Sequence, residues 1–120
     1  MIIVSYNTCA LLRSCLRSVF ASAAISPELA TVDVLVVDNA SHDDSATMVK
    51  REFPTVQLVA SPENRGYTGG NNLGLALLGF NVAGSLSQLP ALSQPDYVLL
   101  LNADTEVVGD ALAQMVQCLQ

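Results

Sequence analysis

The chain has 120 residues, 51% of them hydrophobic and only 13% charged, which fits one domain with a real core and excludes a disordered segment. Lys and Arg total 5 against 11 Asp and Glu, and this net charge of -6, with no basic cluster along the sequence, argues against nucleic-acid binding. A phosphate-bearing ligand would need helix N-termini or a divalent cation to offset its charge.

Cysteine usage favours a reducing compartment, and hydropathy argues against a transmembrane segment. Cys9, Cys15 and Cys118 are odd in number and lack C-x-x-C spacing, which is typical of reduced, mostly packed thiols. No apolar run approaches the ~20 residues that span a bilayer, and the N-terminus lacks the basic leader of a signal peptide. We therefore expect a cytoplasmic protein without a transmembrane segment, either free or peripheral at the inner face of the membrane.

Apolar runs and helical periodicities alternate along the chain. Short β-rich runs predict strands at 2–6, 32–37, 56–60 and 97–102. Thr8 is suited to cap the first helix, and Ser41 with Asp44 matches a capping box ahead of the second, which ends near Glu52. The third helix is predicted from Leu73, after a glycine-rich loop, and the fourth runs through Leu119. Residues 82–95 have neither charge nor regular period and predict an irregular, mobile connection.

This β-α-β-α-β-α-β-α alternation predicts a single α/β domain over residues 1–120, with a mostly parallel sheet between two helical layers. With strand order 3-2-1-4, the crevice between the first and fourth strands is the switch point at which such folds bind ligands. Five polar or aromatic side chains that follow the strands would converge there. They are Tyr6, Asn7, Asp38, Asn102 and Asp104.

Two of these carboxylates have alternative explanations. Asp38 follows a buried strand and could accept hydrogen bonds from a ribose or a base edge, with Tyr6 as a stacking surface, but a lone Asp there also fits an Asx turn or a helix cap. Asp104 is the best candidate for a ligand of a hard divalent cation, against the alternative that it only shapes a turn. His42, the single histidine, lies among capping residues and is expected to face solvent.

The stretch from Asn64 to Asn72 offers an arginine, glycines and amides ahead of a helix. Its backbone donors could wrap a diphosphate, with Arg65 as the one guanidinium placed to help, although the composition also fits an ordinary flexible loop. Neither G-x-G-x-x-G nor G-x-x-x-x-G-K-[ST] occurs, so the dinucleotide-binding and P-loop interpretations lose their main support.

Four motifs together resemble the family 2 glycosyltransferases in order and spacing, and most of all their rhamnosyltransferase-like branch. The motifs are Ile3-Val4-Ser5-Tyr6-Asn7, Val36-Val37-Asp38-Asn39-Ala40-Ser41 with Asp43-Asp44-Ser45, Asn64-Arg65-Gly66-Tyr67 with Gly70-Asn71-Asn72-Leu73-Gly74, and Leu99-Leu100-Leu101-Asn102-Ala103-Asp104-Thr105. The resemblance implies a GT-A fold and inverting sugar transfer from a nucleotide-diphosphate donor, UDP- or dTDP-linked, usually with Mg²⁺ or Mn²⁺. The acceptor would be a saccharide or a lipid-linked molecule, in cell-surface polysaccharide synthesis.

Carried over by position, the resemblance implies that Tyr6 and Asp38 contact the base and ribose, and that Arg65 lines the donor pocket. Asp104 would match the last Asp of the D-x-D metal motif, whose first carboxylate is here the amide of Asn102. The same donor site would include the other motif positions, namely Asn7, Asn39, Asn64, Gly66, Asn71 and Asn72.

The resemblance also predicts what lies outside this sequence. The acceptor contacts and the catalytic carboxylate base are expected beyond residue 120, so the chain would be the donor-binding half of a truncated GT-A domain and inactive alone. Two alternatives remain at this point. One is a non-catalytic module that binds nucleotide sugars, and the other is a Rossmann oxidoreductase, which Asp38 permits and the missing glycine fingerprint opposes.

Overall fold

The computed structural model describes residues 1–29, 31–80 and 94–120. Strands and helices alternate along them, as the periodicities predict. The elements are β1 (Ile2–Ser5), α1 (Cys9–Ala24), β2 (Leu35–Asp38), α2 (Ser45–Glu52), β3 (Gln57–Ala60), α3 (Gly66–Leu77), β4 (Leu100–Asn102) and α4 (Ala111–Leu119).

The four strands form one parallel sheet in the order β3-β2-β1-β4, which confirms the predicted topology. In the register, Ser5 pairs with Asp38 across β1 and β2, and Val4 pairs with Asn102 across β1 and β4. The second and fourth strands are shorter at their starts than predicted, because β1 begins at Ile2 and offers no partner before Leu35 and Leu100.

The sheet is covered on both faces, and the strand alternation divides the core in two. Ile3 and Val36 point to the face that α1, α2 and α4 cover, where they pack with Leu12, Met48 and Leu112. On the opposite face, which α3 covers, four buried residues pack together. They are Ile2, Leu35, Val37 and Leu78.

The start of α3 corrects the sequence prediction. A glycine-rich loop was expected up to Asn72 with a helix from Leu73, but the helix begins at Gly66. Its glycines serve close packing, because a Cβ added at Gly70 would lie 2.7 Å from Val4 Cγ1 and one at Gly74 would lie 2.8 Å from Ile2 Cγ2. The composition that suggested flexibility instead lets α3 lie flush on the sheet.

The predicted helix caps are also wrong in detail. The Thr8 hydroxyl exchanges a hydrogen bond with Ser5 Oγ at 2.8 Å and does not cap α1. Ser41 and Asp44 form no capping box, because Ser41 Oγ accepts the backbone N–H of Asn7 at 2.9 Å. The acceptor at both helix starts is Asp43, which lies between them.

Several other predictions can be placed on the structure. His42 is exposed, as expected, and of the three cysteines Cys15 is buried, Cys9 half-buried and Cys118 exposed. Among the described helices, none combines the length and the hydropathy needed to cross a bilayer. The predicted irregular connection falls, up to residue 93, outside the described residues.

Candidate functional site at the carboxyl edge of the sheet

The carboxyl ends of β1, β2 and β4 meet at one edge of the sheet, here called the carboxyl rim. Because the strands are parallel and Ser5 lies opposite Asp38, the residues that follow each strand emerge side by side. The rim therefore brings together the predicted site residues of three separate segments. They are Tyr6 and Asn7 after β1, Asp38 and Asn39 at the end of β2, and Asn102 and Asp104 at the end of β4.

Asp38 has the least common environment at the rim. It is only 4% exposed, and its Oδ2 accepts the backbone N–H of Ser41 at 3.1 Å. Its Oδ1 is buried and has no hydrogen-bond partner among the described residues. A buried carboxylate oxygen without a donor is costly, so this atom fits a ligand that brings an N–H or O–H group. The turn-forming and ligand-binding interpretations of Asp38 are compatible, because each uses a different oxygen.

Tyr6 and Asn7 differ in whether their side chains are available to a ligand. The Tyr6 side chain is 44% exposed and presents its ring beside the rim. Asn7 has a positive φ of 51°, and its Oδ1 accepts the backbone N–H of His42 at 2.7 Å. Together with the bond from Asn7 N–H to Ser41 Oγ, this fastens the loop after β1 to the loop after β2. The Asn7 side-chain oxygen is thus used inside the protein.

The turn before α3 brings a cation near the rim. Asn64 Oδ1 accepts the backbone N–H of Gly66 at 2.9 Å, and Gly66 takes a positive φ of 68° that favours glycine. The Arg65 side chain is 38% exposed, and its one ion pair among the described residues is a 3.4 Å contact with the exposed Glu63. Such a surface pair is weak, so the guanidinium is free to meet an anionic ligand.

Asn71 and Asn72 lie inside α3, and not in a loop as expected. Asn71 is 4% exposed, and its amide nitrogen donates to the carbonyl of Tyr67 at 3.1 Å, one helical turn earlier. Asn72 is half-buried. The first two turns of α3 therefore lie beside the rim as helix, and the Asn71 side chain is used inside that helix.

Asn102 and Asp104 form a tight turn after β4, and both are exposed. The Asn102 carbonyl accepts the backbone N–H of Thr105 at 3.1 Å and the thiol of Cys15 at 3.7 Å. Burial, with the nearby charge of Asp104, raises the pKa of Cys15 to about 11, so this thiol stays protonated beneath the turn. The Asp104 carboxylate is left as an accessible oxygen donor.

The oxygen atoms of this turn could supply only part of the ligand set of a hard divalent cation. The carboxylate of Asp104 and the amide oxygen of Asn102 are the oxygen ligands that Mg²⁺ and Mn²⁺ accept. Within residues 1–29, 31–80 and 94–120, no group of three or more His, Cys, Asp or Glu side chains could hold a metal ion. The chain thus suits a cation that takes most of its ligands from a diphosphate and from water.

Sequence reasoning missed two residues that build the rim. Ser41 is predicted only as a capping residue and a motif position and Asp43 only as a motif position, yet both bond to the segment after β1, Ser41 to Asn7 and Asp43 to the N–H of Cys9. The pattern of short polar side chains after β2 held this information, but only the parallel pairing of β1 and β2 shows which groups they meet.

Comparison with known proteins supports one family. The family model described as Glycosyl transferase family 2 matches residues 1–78, which run from β1 through α3 and include Asp38 and Arg65. Neither the curated proteins nor the solved structures gave a significant match. The matched range covers well over half of the chain. It includes the rim residues that follow β1 and β2 and the start of α3, but not those that follow β4. The chain therefore belongs to glycosyltransferase family 2.

Proposed function

We propose that the chain binds a nucleotide-diphosphate sugar at the carboxyl rim and serves in the inverting transfer of that sugar to a saccharide or lipid-linked acceptor, in cell-surface polysaccharide synthesis. Family membership makes a glycosyltransferase the expected enzyme class. The position of the sugar-donor site rests on one observation. Asp38 Oδ1 is buried and has no hydrogen-bond partner among the described residues.

Each proposed role follows from a side chain's accessibility and charge. The exposed ring of Tyr6 is suited to stack on a base, and Asp38 Oδ1 to accept a hydrogen bond from the base or ribose of a UDP- or dTDP-linked sugar. Arg65 is suited to pair with the diphosphate, because only an exposed carboxylate competes for it among the described residues.

The proposed cation is Mg²⁺ or Mn²⁺, held by Asp104 with help from Asn102. When bound, it would offset the charge that develops on the departing diphosphate. Asp104 would hold the cation at the end of β4, and Arg65 would pair with the diphosphate from the start of α3. With a net charge of -6, the chain has little other positive charge to offer such a ligand.

The acceptor side is not assigned to residues 1–120. We propose that this chain supplies the donor-binding half of a GT-A domain and that the carboxylate base, which would deprotonate the acceptor hydroxyl, belongs elsewhere. The motif that ends in Asn102-Ala103-Asp104 favours a rhamnosyltransferase-like member of the family.

A non-catalytic module that binds nucleotide sugars is the second candidate. The small number of protein ligands at Asp104 favours it, because a binding module needs no cation to stabilise a leaving group. The two candidates differ in whether nucleotide affinity depends on a divalent cation.

A peripheral location at the cytoplasmic face of the membrane forms part of the proposal. Four of the five basic residues lie on the adjacent helices α1 and α2, which contain a single acidic residue, Glu52. The basic residues are Arg13, Arg17, Lys50 and Arg51, and although the three arginines pair with Glu52, the two helices keep an excess of positive charge suited to anionic lipid; they are called the basic face below.

Titration of Mn²⁺ with and without UDP or dTDP tests the proposed metal role. Because the chain offers so few ligands, we expect weak metal affinity without nucleotide and at least tenfold higher affinity with it. Asp104→Asn should remove most of this coupling, whereas Asp110→Asn, an exposed carboxylate at the start of α4, should leave it unchanged. Equal nucleotide affinity in chelator and in millimolar Mn²⁺ would refute the metal role and favour the binding module.

A further inference from the structure

Asn39 connects two segments of the rim that are far apart in sequence. It follows Asp38 directly, is 2% exposed, and reaches from the end of β2 to the start of α3. Its Oδ1 accepts the backbone N–H of Arg65 at 3.3 Å, and its Nδ2 donates to the carbonyl of Gly66 at 2.9 Å. One buried side chain thus holds both sides of the turn that carries the Arg65 guanidinium.

This position calls for an amide. A carboxylate could accept from Arg65 N–H but would set a second oxygen against the Gly66 carbonyl, and an aliphatic side chain would leave a backbone donor and an acceptor without partners. Arg65 N–H lies at a helix start, where backbone donors have no partner within the helix. Asn39 therefore caps the N-terminus of α3, although it belongs to the segment after β2 and not to the helix itself.

The packing leaves this turn little freedom. A Cβ at Gly70 would lie 2.7 Å from Val4 Cγ1 and 3.2 Å from Asn39 Nδ2, so α3 is pressed against both β1 and the Asn39 amide. Gly66, at a positive φ of 68°, completes the turn without a side chain. The start of α3 cannot shift along the sheet without breaking one of these contacts.

Asp38 and Asn39 thus divide two tasks between neighbouring positions. Asp38 keeps one buried oxygen without a partner among the described residues, while both polar ends of the Asn39 side chain are bonded to the start of α3. We propose that Asn39 is a positioning residue that fixes Arg65 relative to Asp38. A single nucleoside diphosphate can then bind Asp38 through its nucleoside and Arg65 through its diphosphate. This inference rests on the proposed donor site and adds to it the residue that sets the distance between Asp38 and Arg65.

The test compares UDP with uridine, and dTDP with thymidine, by NMR titration of the whole chain with Mg²⁺ present. If Asn39 acts through Arg65, Asn39→Ala should weaken diphosphate binding about tenfold and leave nucleoside binding within about twofold, because the nucleoside meets Asp38 and not Arg65. Asn39→Ala combined with Arg65→Ala should bind the diphosphate no more weakly than Arg65→Ala alone. Equal losses for nucleoside and diphosphate, or fully additive losses, would overturn the inference, since they are what a general structural defect produces.

Amide hydrogen exchange of the free protein gives a readout that needs no ligand. Asn39→Ala should speed exchange of the Arg65 N–H, whereas Asn64→Ala, which removes the neighbouring acceptor of Gly66 N–H, should not. Unchanged Arg65 exchange in Asn39→Ala would overturn the positioning role. Faster exchange in a chain that binds no nucleotide would support the role of Asn39 at the turn and refute the proposed donor site instead.

Discussion

Asp43 and Cys9 join the starts of two helices. Asp43 Oδ2 accepts the backbone N–H of Cys9, the first residue of α1, at 3.0 Å. Its Oδ1 accepts the N–H of Ser45, the first residue of α2, at 3.0 Å, together with the Ser45 hydroxyl. One carboxylate therefore satisfies backbone donors at two helix N-termini, where negative charge is also favourable.

Asp43→Ala should destabilise the protein by about 1–2 kcal/mol, because it removes acceptors from both helix starts. Chemical denaturation at neutral pH measures the change in the free energy of unfolding. Asp44→Ala is the matched control, since this exposed neighbour makes no capping bond and should change stability by less than about 0.5 kcal/mol. An equal effect of the two substitutions would contradict the role of Asp43.

The lowered pKa of Glu52 predicts that the stability of the fold decreases in acid. Hydrogen bonds from Arg13, at 2.8 and 3.1 Å, and from Arg51, at 3.0 Å, lower the pKa of Glu52 from 4.5 to about 2. Because the folded-state pKa is depressed, the stabilisation is complete above pH 4.5 and is lost as the pH falls towards 2.

The stability difference between the protein and Glu52→Gln should therefore be present at pH 7 and shrink by pH 2.5. Denaturation midpoints at the two pH values measure it. Glu63→Gln, which removes a looser surface pair with Arg65, should show a smaller difference throughout. A Glu52→Gln difference that stays constant or grows on acidification would contradict the assignment.

Gly74→Ala should destabilise the protein by about 1–3 kcal/mol, although alanine is the better helix former. The added methyl would lie 2.8 Å from Ile2 Cγ2, on a side chain that is itself completely buried. Thr68→Ala, at an exposed position of the same helix, is the control and should be neutral within about 0.5 kcal/mol. Stabilisation by Gly74→Ala, seen as a higher denaturation midpoint, would show that the sheet yields at this contact.

The sheet could be predicted because its strands obey one strong rule. Runs such as Val34-Leu35-Val36-Val37 are typical of a strand buried on both faces, and four short β-rich runs separated by helical periodicity leave few topologies. The limits of the strands could not be predicted, since pairing with β1 decides them. The start of α3 could not either, because Gly70 and Gly74 give the same signal whether they loosen a loop or admit a close contact with Val4 and Ile2.

For the site, the sequence predicted which residues follow the strands but not what each side chain does. Asp38, Asn39 and Asn7 are all polar residues near strand ends, and only the structure distinguishes the unpartnered oxygen of Asp38 from the bonded amides of the other two. That distinction depends on atoms more than 25 residues apart in sequence. Local patterns do not carry such information.

The basic face of α1 and α2 predicts binding to vesicles with anionic lipid at low salt. Arg17→Ala should weaken it about fivefold, because each basic residue near such a surface contributes about 1 kcal/mol. Arg65→Ala is the matched control, as it makes the same change in net charge outside this face and should leave binding unchanged. Co-sedimentation measures both; equal effects, or no binding at all, would contradict a membrane-facing role for these helices.

The donor site at the carboxyl rim is tested most directly by calorimetric titration of UDP and dTDP, with Mn²⁺ present, into the unchanged chain and into Asp38→Ala. Asp38 Oδ1 is the one buried rim oxygen that lacks a partner among the described residues, so the substitution should weaken binding at least tenfold. The fold should survive, because Oδ1 has no partner to lose and Oδ2 accepts only the Ser41 N–H three residues further along the chain, and circular dichroism checks that. A folded Asp38→Ala variant that binds the nucleotide as tightly as the unchanged chain would contradict a donor site at this carboxylate.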